Sequence, residues 1–146
     1  MTAAADPRQS VDDFLAAKKR HTESISLALD ESTGDTVAFV FEALGRVELR
    51  DLRLAEEHQP TPDQKKRARR EQKDAGIADH KIVPLDHNPD TFIPALLAET
   101  CVSHDWSVDD WSQVLTSDRF SEAEYVDLIG TCYRAQSTRR RVDPEG

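Results

Sequence analysis

Residues 24–42 read SISLALDESTGDTVAFVFE, and the folding of this stretch decides the class of the whole chain. Ile25, Leu27 and Leu29 alternate with Ser26, Ala28 and Asp30, the period of a half-buried strand. Ser32-Thr33-Gly34-Asp35 supplies turn chemistry, with Gly34 free to take a positive φ. A second alternation follows at once, with Val37, Phe39 and Phe41 set against Ala38 and Val40. Two such runs across a glycine-bearing turn predict a β-hairpin. A helix from Asp35 competes, because Val37, Val40, Phe41 and Leu44 also fit helical spacing. The strand is preferred because β-branched and aromatic side chains dominate the run.

Upstream, residues 1–20 read as a flexible N-terminal segment. Within it Ser10 and Asp13 carry the N-cap pattern of a short helical turn. Downstream, Gly45 breaks the alternation, and RVELRDLRLAEEH predicts a helix over residues 46–58. Val47, Leu49, Leu52 and Leu54 are its candidate packing residues, and Gln59-Pro60-Thr61-Pro62 ends it. Residues 62–87 form a charged middle. Its first part, up to Asp74, has almost no apolar residue and reads either as a solvent-exposed helix or as a disordered linker. Ala75-Gly76 closes that part, and the remainder is irregular.

The C-terminal helices, over residues 89–136, are the best-signalled region. Asn88-Pro89 has the form of an N-cap followed by proline at the first helical position. Phe92, Leu96, Leu97 and Cys101 then fall on one face, and Pro94 lies early enough to be tolerated. Ser107 with Asp110, and Ser121 with Glu124, repeat a capping box ahead of two further helices. Trp106, Val108, Trp111 and Leu115 give bulk to the first, and Tyr125, Leu128, Ile129 and Cys132 form a stripe on the second. Residues 137–146 read as a flexible tail. The expected fold is therefore α+β: one domain over residues 21–136, with an N-terminal β-hairpin (residues 24–42) and a mainly helical body ending in a three-helix C-terminal cluster.

Composition narrows the function. The formal charge is −9, with 32% charged and 38% apolar residues among 146. Such a surface repels nucleic acid and anionic lipid. The exception is a basic run of Lys65, Lys66, Arg67, Arg69, Arg70 and Lys73, echoed by Arg139, Arg140 and Arg141. No aromatic interleaves the first run, so a solvated face or docking onto an acidic partner is the favoured reading, and nucleic acid is the weaker one. No apolar run approaches the ~20 residues that span a bilayer, and MTAAADPRQSVDDF has none of the features of a secretory leader. A reducing cytoplasm is the expected compartment.

Enzymatic chemistry has little support. No Gly-rich phosphate loop, GxSxG elbow or HExxH is present. Cys101, His104 and Cys132, with His80 or His87, make an incomplete zinc pattern, because Cys132 has no close partner in sequence. No metal or cofactor is expected, and the cysteines read as small buried hydrophobes.

Two stretches resemble the tail assembly chaperones of long-tailed bacteriophages that infect actinobacteria. The first is TVAFVFEALGRVELRDLRLAEEHQP, residues 36–60. The second covers residues 88–136, with NPDTFIPALLAETCV at its core, followed by WSVDDWSQVL and RFSEAEYVDLIGTCYRAQ. They span about half the chain, in the family's order. The chain departs from the family in joining Leu29 to Val37 by a tight turn and in lengthening its basic middle. The resemblance implies a protein that acts in the host cytoplasm and is not retained in the mature virion. It implies binding to the phage tape measure protein, which it keeps soluble, and recruitment of the tail tube protein. It also implies a longer, frameshifted form in many members.

A small protein that coats a long one acts in many copies, so a homo-oligomer is expected. Phe92, Leu96, Leu97, Trp106, Trp111 and Tyr125 are the expected partner-binding residues. For the two tryptophans a place in the core competes, since large aromatics fill cores as well as hot spots. The alternatives are a structural adaptor of the head–tail region and a small nucleic-acid-binding regulator.

Overall fold

The computed structural model describes residues 9–137. Residues 138–146, which hold most of the expected tail and the second arginine run, lie outside that range, as do residues 1–8. The fold is α+β, as expected.

The hairpin forms as the alternation requires. Strand β1 (Thr22–Asp30) pairs antiparallel with β2 (Asp35–Glu42), placing Ile25 opposite Phe39 and Leu27 opposite Val37. This removes the competing helix from Asp35. Gly34 takes φ 77° in the turn, a conformation that costs a residue with a Cβ. The ladder is irregular between Ala28 and Asp30, so Leu29 has no partner on β2. Such a bulge bends the strand, and Leu29 is exposed where the alternation placed it with Ile25 and Leu27.

Helix α1 (Val11–Ala17) precedes the hairpin, inside the segment expected to be flexible. Its N-cap Ser10 accepts a hydrogen bond from the Asp13 amide at 3.1 Å. After β2, the Gly45 amide donates to the Glu48 carboxylate at 3.1 Å and opens α2 (Arg46–Leu54). The helix expected over residues 46–58 stops early. Ala55 leaves helical geometry (ψ 137°), and Glu56–His58 form a separate 3-10 turn. The break has a cause in packing. His58 is buried, with Nδ1 3.0 Å from the Thr91 hydroxyl and its carbonyl accepting from the Asn88 amide at 2.7 Å. A continuous helix would carry His58 away from those partners.

The first part of the charged middle, up to Asp74, is helical, which decides between helix and linker. Helix α3 (Pro62–Asp74) has a reciprocal Thr61–Gln64 cap that the sequence reading missed, and Gly76 follows it at φ 84°. The segment behind it, with a 3-10 turn at Asp79–Lys81, is clamped by one side chain. Gln72 donates to the Val83 carbonyl at 2.8 Å and accepts from its amide at 2.9 Å.

Helix α4 (Pro89–Thr100) lies at the centre. Residues 92–97 are buried without interruption, the pattern of a helix covered on all sides. Its neighbours are α2, β2, α5 (Val108–Leu115) and α6 (Glu122–Ser137), and α6 also crosses both strands. Pro94 leaves the Asp90 carbonyl without its helical donor, and Asp90 is exposed to solvent near the helix start. The Ser107–Asp110 and Ser121–Glu124 caps form as read, each as a reciprocal pair of hydrogen bonds at 2.9–3.1 Å. The core joins Leu27, Phe39 and Phe41 to Phe92, Leu96, Leu97, Trp111, Leu128 and Cys132.

Candidate partner-binding groove

The connection between α4 and α5 builds one wall of the site. Cys101 bridges Phe41 at the free edge of β2, and the Val102 amide donates to the Val40 carbonyl at 2.9 Å. The Val40 amide in turn donates to the Ser103 hydroxyl at 3.0 Å. This short third rung fixes His104 and Trp106 over the hairpin. His104 stacks on Phe39 with ring centres 4.5 Å apart, and Trp106 meets His104 and Trp111 at 4.8 Å each. Phe39 lies 5.6 Å from Trp106 and 5.8 Å from Trp111. These tilted and edge-on contacts are the arrangements aromatic pairs favour.

Beside this aromatic cluster runs a groove of about 630 Å³, between the turn end of the hairpin and the α5–α6 corner. Leu27, Leu29, Val37, Trp106, Val114 and Phe120 give it an apolar lining. Leu29 is 71% exposed, while Val37, Trp106, Val114 and Phe120 are half-buried. Arg119 and Glu124 sit at its margin. Glu124 is engaged by the Ser121 amide, and Arg119 has no carboxylate partner among the described residues.

The six residues expected to bind a partner do not come together. Phe92 and Leu96 are each 2% exposed, and Leu97 and Trp111 are 0% exposed. These four are core: α4 is enclosed by its neighbours, and Trp111 is wedged between Phe39, Phe41 and Trp106. They offer no surface to a partner, and only Trp111 is packed against the groove lining, at Phe39 and Trp106. Trp106 does line the groove. Tyr125 lines a separate cavity of about 310 Å³ with Pro89, Pro94, Ser112 and Leu115. Burial raises its phenol pKa, with Glu122 and Asp90 adding to the effect.

Leu29, Val114 and Phe120 were missed as surface residues. The available signal was position: apolar side chains at a hairpin tip and in a helix–helix corner lie where covering elements end.

The other candidate sites resolve differently. Burial pushes the Cys132 thiol up to about 11, against a lowering contribution from its contact with the Thr100 hydroxyl at 3.4 Å. Cys101 and His104 both contact the Ser103 hydroxyl instead. His87 sits against the Asp86 carboxylate at 2.6 Å. Among the described residues no group of three or more His, Cys, Asp or Glu converges as metal ligands. The basic residues of α3 are exposed, and Lys65 and Arg69 flank a cleft of about 260 Å³ floored by Ile82, Val83, Pro84 and Leu85. No described helix is long and apolar enough to cross a membrane.

No protein-family model, curated protein or solved structure matches the chain.

Proposed function

We propose that the protein is a non-enzymatic chaperone of bacteriophage tail assembly that holds an amphipathic helical partner in the groove between hairpin and α5–α6 corner. The observation that carries this reading is the groove itself. Leu29, exposed, and Val37, Trp106, Val114 and Phe120, half-buried, line one groove on an otherwise highly charged protein. Exposed apolar surface of this kind marks interaction sites, and an apolar helix face laid in a groove is a recurring mode of recognition.

The resemblance in sequence names the partner: the tape measure protein, long and largely helical. Masking its apolar stripes while presenting a net negative exterior would keep the complex soluble. The tail tube protein is the second proposed partner, the host cytoplasm the place of action, and the mature virion a place where the chain is not retained. Co-expression tests this. The wild-type chain should raise the soluble fraction of the tape measure protein and co-purify with it, and Leu29→Asp with Val114→Asp should lose both effects. Equal solubility with and without the chain counts against the reading.

The basic face of α3 favours a second reading, binding to nucleic acid. It requires retardation of DNA in a gel at low salt that weakens steeply as salt rises. The adaptor reading requires instead a stoichiometric signal for the chain in purified virions.

A further inference from the structure

Helix α1 carries an apolar stripe that no described residue covers. Val11, Phe14 and Leu15 are spaced i, i+3 and i+4, so they share one face, and they are 74%, 50% and 62% exposed. No residue of α1 is buried. Asp12 flanks the stripe beside Leu15 and makes no ion pair with any described residue. At the far end of the hairpin lies the converse surface, an apolar groove whose margin carries Arg119, which has no carboxylate partner among the described residues, and Glu124, held by the Ser121 amide.

Within one chain the two do not meet: no residue of α1 lines the groove. The His21 carbonyl accepts from the Ala43 amide at 2.8 Å, and Arg20 pairs with Glu48 at 2.8 Å and with Glu42 at 3.8 Å. These contacts fix the chain at the open end of the hairpin. From His21, a fully extended link to Ala17 spans at most ~14 Å, and the helix adds ~4.5 Å to reach Phe14. Leu29 lies about 26 Å up the strand from His21, at ~3.3 Å per residue. Phe14 and Leu15 therefore fall short of Leu29, at the tip of the groove of their own chain.

We propose that α1 of one copy docks into the groove of a second copy, with Val11, Phe14 and Leu15 on the apolar lining and Asp12 facing Arg119. Donor helix and acceptor groove sit at opposite ends of the hairpin. The contact is therefore heterologous, and it extends copy by copy unless the geometry closes a ring. The inference rests on reading the groove as an acceptor of amphipathic helices. It adds that the chain's own helix fills that acceptor until a longer helical partner displaces it.

The test is sedimentation of the full chain over a wide range of concentration. Wild type should associate as concentration rises. Phe14→Asp with Leu15→Asp should remain monomeric, and so should Leu29→Asp. All three side chains are exposed, so the variants should keep the wild-type circular dichroism. Mixing the two monomeric variants leaves one intact groove and one intact helix, and should give a complex that stops at one copy of each. Association that persists in the α1 variant, or a mixture that stays monomeric, overturns the proposal. A wild-type chain that is monomeric throughout yet still co-purifies with the tape measure protein overturns it too, and leaves the reading of the groove standing.

Discussion

The side-chain amide of Gln136, near the end of α6, accepts a hydrogen bond from the Leu44 amide at 2.8 Å, and its own N–H donates to the Glu42 carbonyl at 3.1 Å. One side chain thus satisfies two backbone groups where the hairpin ends, and ties the last helix to the first sheet. Both bonds are partly buried, so their loss leaves polar groups poorly solvated. Gln136→Ala should lower stability by about 1–3 kcal/mol. Urea unfolding followed by circular dichroism checks this, with an unchanged slope as evidence that the same surface unfolds.

Trp111 fills the centre of the aromatic cluster at 0% exposure, and its indole N–H has no acceptor among the described residues. Trp111→Ala should cost about 3–5 kcal/mol through the void it leaves. Trp111→Phe should cost clearly less, because it removes an unpaired buried donor along with part of the ring. Equal losses for the two variants would show that the N–H is satisfied in solution.

Gly34 has a positive φ of 77°, and a Cβ built on it meets nothing within 4 Å. The penalty for Gly34→Ala is therefore conformational alone, about 1 kcal/mol. Gly34→Asn should cost less, since asparagine tolerates this region better. Thermal unfolding of the pair separates them, and a bulkier residue tolerated as well as glycine would contradict the turn geometry.

Cys132 links stability to alkaline pH. Its folded pKa of about 11 lies above the ordinary thiol value, chiefly through burial. The unfolded thiol therefore ionises first, and the folded state loses stability as pH rises from about 9 towards 11. The slope from this group is at most about 1.4 kcal/mol per pH unit. Below about pH 7 the thiol contributes no slope, because it is protonated in both states. Tyr125 and Tyr133, also raised chiefly by burial, act in the same direction. Cys132→Ala should flatten the loss. In the native protein at neutral pH, a thiol reagent should modify Cys101 well before Cys132.

How much of this was legible in the sequence depends on the range of the interaction. The hairpin and the caps at Ser107 and Ser121 are written in residues a few positions apart, and they form as read. The Gln136 clamp, the rung from Cys101 to Ser103 along β2 and the His58–Thr91 contact join residues 33 to 94 positions apart. No local pattern announces them. The candidate site suffered for the same reason. Phe92, Leu96, Leu97 and Trp111 are apolar in the same way as Leu29 and Phe120, and periodicity alone does not say which of them other elements will cover. Leu29 adds a second cause: a bulge after Ala28 broke the alternation that assigned it inward.

The central claim is that the hairpin–α5 groove grips a helix. Amide chemical shifts measured while a helical segment of the tape measure protein is titrated into the labelled chain test it most directly. The largest changes should fall on Leu27, Leu29, Val37, Val114 and Phe120, with α3 unmoved. Changes confined to α3, or no changes at saturating peptide, would contradict the account.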